Sequence, residues 1–240
     1  MATDLQPFLR PTSVIDSTHP SIQQCAQSIA AGLSTDRARA VAIHDFVRDR
    51  IRFGFSKRFV YQRASDVLGE GRGFCNTQST LFAALLRAAG IPARIHFVTI
   101  DAEILSGLNI PGPYVDHSFT EVFLDGRWVA TDSYIADSSF FHNGLKRLER
   151  EGREMGYGLH RRGTIAWDGS TDAFSQYLHS VERPISSRDF GVFADYKDFY
   201  ARCDGTCSGG WAPYLLMPFV SPSINAAIDS IRNGRHEKKQ

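Results

Sequence analysis

The sequence predicts an α+β fold, with helices leading and a strand and a hairpin following. Three observations predict it: two helical stretches before Arg52, a long apolar helix opening at Cys75, and two β-prone runs joined by Asp125-Gly126. At 240 residues, 42% of them hydrophobic, the chain can bury one substantial core. Residues 1–234 read as a single domain with its core at 36–136 and with 137–234 wrapped around that core or its cleft. Residues 235–240 read as a disordered basic tail.

The elements follow in order. Pro7, Pro11 and Pro20 keep the first stretch irregular. Ile22, Cys25, Ala26, Ile29, Ala30 and Leu33 recur at helical spacing, which predicts a helix over 21–33. Ala40, Val41, Ile43, His44, Val47 and Ile51 repeat that spacing over 36–51, with Thr35 or Asp36 as the N-cap. The two helices are expected to lie antiparallel across Ser34-Thr35. Phe53, Phe55, Phe59 and Tyr61 alternate, as in a short strand or an aromatic-lined loop. Gly69, Gly71 and Gly73 then mark a turn with unusual backbone angles. The helix from Cys75 carries Leu81, Phe82, Leu85, Leu86 and Ala89 on its apolar face and stops at Gly90. Residues 93–100 are β-branched and aromatic, as in a strand. Beyond a loop with Pro111 and Pro113, Asp125-Gly126 closes the clearest hairpin in the chain. Helices are expected over 139–151, 172–181 and 222–233.

Composition narrows the functional classes. A formal net charge of +1 gives no reason to expect nucleic acid, a membrane surface or a polyanionic substrate. The N-terminus has no apolar run of the signal-peptide kind, and no stretch reaches transmembrane length, so the default expectation is a cytoplasmic protein. Cys25, Cys75, Cys203 and Cys207 lack the repeated paired spacing of a structural zinc site, and no metal or cofactor is called for. Cys203 and Cys207, in CDGTC, are a metal half-site, a redox pair or a plain turn around Asp204-Gly205.

Cys75 is the first candidate for chemistry. A thiol at a helix N-terminus meets the positive end of the helix dipole and free backbone N–H groups, which favour thiolate and can also bind an oxyanion. The hairpin supplies the second and third. If Asp125-Gly126 is a two-residue loop, Leu124 faces Arg127, Phe119 faces Asp132 and His117 faces Tyr134. His117 and Asp132 then share a face as diagonal neighbours, with Cβ atoms about 6–7 Å apart. These three residues fit a nucleophile, a base and the group that orients the base. His117 takes the thiol proton, or holds the thiolate as an ion pair. On the same face, Phe119, Phe123, Trp128 and Tyr134 are expected to pack against the Cys75 helix. Glu121 shares the face and contacts substrate or satisfies a polar neighbour. His44 and His96 read as structural histidines.

The runs GRGFCNTQSTLFAALLRAAGIPARIHFV and DHSFTEVFLDGRWVATDSY resemble the core of the transglutaminase-like superfamily. The resemblance spans 71–98 and 116–134 and rests on a Gly-x-Cys helix start, a helix-to-strand passage through GIPAR, a strand opening on His, and an Asp after the turn. It implies a papain-like fold in which a central helix bearing the nucleophile packs on an antiparallel sheet bearing His117 and Asp132. It also implies cysteine-dependent acyl transfer or hydrolysis, through a thioester, on amide, peptide or acyl-thioester substrates. Relatives range from crosslinkers, peptidases and amidases to acyltransferases and members without the three residues, so thioester-dependent transfer or cyclisation and a non-catalytic binding module are the alternatives. Phe74 stands where the family often has Asp or Thr, and Phe119 stands for its aromatic two residues after the histidine. Phe74, Phe119 and Glu121 are candidate substrate contacts. The oxyanion donors are the Cys75 backbone N–H and, by analogy with related folds, Gln62, which alternatively is a surface glutamine.

Overall fold

The computed structural model describes residues 4–108, 114–178, 186–202 and 212–235. Helix α1 (Pro20–Ala30) opens at His19, whose ring nitrogen accepts from the Ser21 N–H, with Pro20 in the first turn. It ends three residues before Leu33, where Gly32 takes φ +76°. Helix α2 (Asp36–Arg50) is capped by Thr35, whose hydroxyl accepts from Ala38 N at 3.1 Å. Between α2 and the Cys75 helix, the chain makes a two-residue strand β1 (Arg52–Phe53), a short helix α3 (Ala64–Glu70) that the sequence reading missed, and β2 (Arg72–Gly73), which pairs parallel with β1.

Helix α4 (Cys75–Ala88) is buried along nearly its whole length. It ends in a Schellman arrangement: Gly90 at φ +77° donates to Arg87 O, and Ile91 N donates to Leu86 O. Strands β3 (Ala93–Asp101), β4 (Tyr114–Leu124) and β5 (Arg127–Thr131) follow. Then come α5 (Ser138–Arg150), the small pair β6 (Met155–Gly156) and β7 (Leu159–His160), β8 (Ser186–Phe193), α6 (Tyr196–Arg202) and α7 (Ala212–Arg232). The main sheet is antiparallel in the order β5-β4-β3-β8.

The hairpin has the expected register from Leu124–Arg127 to Thr120–Thr131, where the pairing ends; the expected pairs Phe119–Asp132 and His117–Tyr134 do not form. Leu124 pairs with Arg127 and Thr120 with Thr131, and the loop residues Asp125 and Gly126 both take positive φ, +49° and +82°. That is the turn whose twist matches paired strands.

The two faces of the sheet are covered differently. Ile95, Phe97, Val122 and Leu124 join α1, α2 and α4 in the main core. Val98, Ile100 and Phe119 join Ile104 and Met155 in a second cluster, flanked by Phe174 and Tyr177. This corrects the expected packing of Phe119, Phe123 and Trp128 against the Cys75 helix. Phe119 instead stacks on His96 at 4.6 Å, and Phe123 meets Trp128. Tyr134 alone of the four packs on α4, its ring 4.4 Å from Phe82 and its hydroxyl bonded to Ser79 and Thr120.

The helix expected over 172–181 does not form in its described part, 172–178. Ala173 instead bridges Thr131 in parallel, and the N–H groups that would close a helix are spent on Asp132. The Pro111/Pro113 loop and the CDGTC stretch lie outside the described residues. Among the described residues no helix is long and apolar enough to cross a membrane.

Candidate active site

Cys75 is the first residue of α4, 8% exposed. Phe74 before it carries no side-chain acceptor and gives the helix no side-chain cap. Thr77 bonds the Phe74 backbone, its Oγ1 accepting from Phe74 N at 2.9 Å. The N–H groups of the first turn therefore have no capping side chain and no earlier turn to bond. The Cys75 thiol has two oxygen acceptors nearby: Asn76 Oδ1 at 3.5 Å and the Asp116 carbonyl at 3.9 Å. Asn76 in turn donates from Nδ2 to the Tyr200 hydroxyl of α6.

The structure brings His117 and Asp132 together, Nε2 to Oδ2 at 2.9 Å, both fully buried. A carboxylate only accepts, so Nε2 carries its hydrogen and Nδ1 is the nitrogen left for the sulfur. Burial alone would lower the His117 pKa. Hydrogen bonds to Asp132 and Cys75, and the charge on both, outweigh burial and lift it to about 9. Asp132 moves the other way: burial would raise it, but the His117 bond and charge and the backbone donors Ser175 and Tyr177 hold it below the usual carboxylate range.

Those donors come from a stretch that sequence reasoning missed. Ser175 N, Ser175 Oγ and Gln176 N all donate to Asp132 Oδ1, and Tyr177 N donates to Oδ2. The Tyr177 ring lies parallel to the His117 ring, 6° between planes and 6.4 Å between centroids. Most of these contacts use backbone N–H, which every residue type but proline offers. The only side-chain signal was the Ser175 hydroxyl.

The remaining candidates fall in different places. Phe74 is buried in a stack with Phe55 at 5.1 Å and Phe59 at 5.0 Å, directly beside the sulfur in sequence. Phe119 sits under Tyr177, ring centroids 5.2 Å apart. Glu121 binds Arg94 and His96, so its carboxylate serves polar neighbours, the second of the two readings offered for it. Gln62 is buried at 1% exposure rather than on the surface, and its Nε2 donates to Glu70. That bond uses one of its two Nε2 hydrogens, and the backbone N–H groups at the start of α4 are the donors adjacent to Cys75 in sequence. His44 and His96 are structural, as read. His44 is fully buried between Asp45 and Ser133, and His96 is half-buried between Glu121 and Asp189.

Comparison with known proteins adds to this geometry. Residues 23–133 match the family model of the transglutaminase-like superfamily. No curated protein matches the chain. Among solved structures, the chain is similar to a protein titled as a candidate cysteine protease from Cytophaga hutchinsonii, at 25% identity and TM-score 0.45 over 54% of this chain and 42% of that one. It is also similar to one titled as a candidate protease from Parabacteroides distasonis, at 15% identity and TM-score 0.37 over 52% of this chain and 24% of that one. The chain spans less than half the length of either.

Proposed function

We propose, from the match of residues 23–133 to the transglutaminase-like family model and from the site geometry, that the protein is a cysteine-dependent acyl-transfer enzyme acting on amide or peptide-like substrates through a thioester. Cys75 is the nucleophile, His117 the base and then the acid, and Asp132 the residue that orients the histidine. The observation that carries this reading is the buried His117–Asp132 bond, with the remaining ring nitrogen directed to a thiol at a helix start.

In this mechanism His117 Nδ1 takes the proton from Cys75 Sγ, and the sulfur attacks the acyl carbon. The carbonyl oxygen, now anionic, is bound by N–H groups of the α4 N-terminus, where the helix dipole also favours negative charge. The carbon–nitrogen bond breaks as His117 returns its proton to the leaving amine, which leaves a thioester on Cys75. Water or a second amine then gives its proton to His117 and attacks the thioester, and His117 returns that proton to the departing sulfur. Asp132 stays ionised throughout, holding Nε2–H and stabilising the imidazolium.

An acyl electrophile tests the assignment without a known substrate. Intact-protein and peptide mass spectrometry should find one acyl group per chain, on Cys75. Cys25 is the internal control: it is half-buried, and burial raises its thiol pKa. Cys75→Ala should abolish the adduct and any turnover. Equal labelling of Cys25 and Cys75, or activity surviving Cys75→Ala, would refute the proposal. Offering amide and acyl-thioester donors side by side separates hydrolysis or transamidation from carrier-linked transfer.

A further inference from the structure

We infer that residues 173–177 form a strap that positions Asp132 and tempers the basicity of His117, with Ser175 and Tyr177 as its positioning residues. This rests on the roles proposed above for Cys75, His117 and Asp132. The strap lies beyond the stretch that matches the family model, which ends at residue 133.

The hairpin alone does not hold the carboxylate. Its last paired position is Thr131 opposite Thr120, and Asp132 leaves the strand immediately afterwards. What fixes the carboxylate is the strap. Oδ1 receives Ser175 N at 2.5 Å, Ser175 Oγ at 3.1 Å and Gln176 N at 3.2 Å. Oδ2 receives Tyr177 N at 2.7 Å and shares its remaining capacity with His117 Nε2.

The strap is tied at both ends. At its start, Ala173 N donates to Ala130 O and Asp132 N donates to Ala173 O, both at 3.1 Å. At its end, Gln176 Nε2 donates to Gly158 O at 2.8 Å, and His160 Nε2 donates to Tyr177 O at 3.3 Å. Gly158, at φ +83°, is closely packed on the strap: a Cβ there would sit 3.0 Å from Gln176 Nε2 and 3.2 Å from the Phe53 ring. The β6–β7 turn and the strap therefore make one unit behind Asp132.

Two effects follow from that geometry. The strap donors fix the plane of the carboxylate, and with it the direction of His117. They also share its negative charge, so less of that charge acts on the imidazole. The titratable groups facing His117 are Cys75 from α4, Asp132 and Tyr177. His160 lies across the carboxylate, where burial lowers its pKa.

The test uses the full chain and ¹⁵N-imidazole NMR. In the unmodified protein the Ser175 and Tyr177 amide protons should exchange slowly and follow the titration of His117. Ser175→Ala removes one donor from Oδ1 but keeps the backbone donors, so the carboxylate stays in place with more charge for His117. The His117 titration should then move upward by about half a pH unit, with His44 and His96 unmoved, and Ser175→Thr should restore it. An unmoved His117 in Ser175→Ala, or amides that ignore the titration, would overturn the inference. If Ser175→Ala does not fold, the amide resonances of the unmodified chain decide. Iodoacetamide labelling of Cys75 reports separately. No preference for Cys75, with His117 still answering to Ser175, would sink the proposed chemistry and leave the strap standing.

Discussion

Five hydrogen bonds end on the two oxygens of Asp132, so an amide is a poor substitute there. In Asp132→Asn the new NH₂ must face the N–H of either Tyr177 or Ser175, donor against donor in a buried site. We expect kcat/KM to fall by about 10²–10⁴-fold and unfolding free energy in denaturant to fall by about 1–3 kcal/mol. His117 sets a second expectation. Its pKa is raised from 6.5 to about 9, so its stabilising contribution is complete below 6.5 and is lost as pH rises through about 9. The thermal midpoint should therefore decline across that window, and His117→Gln should flatten the decline. The acid role proposed for His117 should disappear over the same range, giving kcat/KM an alkaline limb near pH 9. At this scale much of the site was legible. Turn chemistry at Asp125-Gly126 set the register as far as Thr131, one residue short of the Asp132 that meets His117, and the glycines before Cys75 marked a helix start. The strap was illegible because a backbone donor leaves no mark on residue identity.

Among the elements, α4 carries the clearest contrast between stability and chemistry. Gly90 ends it in a left-handed turn with open space where a Cβ would go. Gly90→Ala should cost about 1 kcal/mol of stability and leave the rate of Cys75 alkylation unchanged. Gly73 stands at the other end, where a Cβ would lie 2.8 Å from Thr77 Oγ1 and 2.9 Å from Gln78 Cγ. Gly73→Ala should displace the first turn of α4 and slow Cys75 alkylation by about tenfold or more, a kinetic loss that the Gly90 variant does not share. Long periodic elements were readable: α1, α2, α4 and the hairpin all follow from spacing and cap chemistry. Helix α3 was not, since seven residues are too few to repeat an apolar stripe. Strand β8 was not either, because its pairing with β3 is interrupted by register shifts and Gly191 bends at φ +80°. Over 172–181 the local pattern favoured a helix, but in the described part, 172–178, the buried carboxylate of Asp132 claimed the N–H groups of Ser175, Gln176 and Tyr177.

Across the molecule, the last helix is fastened to the middle of the chain. Arg232, at the end of α7, donates from Nε and Nη2 to Asp137 and from Nη2 to the Phe53 carbonyl at 2.8 Å. Asp137 also caps α5, its Oδ1 accepting from Phe140 N. Both charges are nearly buried, 8% and 9% exposed. Arg232→Ala strands a carboxylate in the interior and should cost about 3–5 kcal/mol, measured by denaturant unfolding. Arg232→Lys should recover little of it, since an ammonium cannot reproduce the forked contact. Higher on α7, Asn225 bonds both the N–H and the carbonyl of Phe55 at 2.8 Å, and Phe55 stacks on Phe74 beside the sulfur. This gives the fold an order in time. A ribosome releases residues 53, 55 and 137 long before 225 and 232. A nascent chain with its sulfur already exposed to the cell thus carries an acid without its base and a phenylalanine ring without its tether. Assembly around Cys75 waits on the final turns of the last helix to emerge.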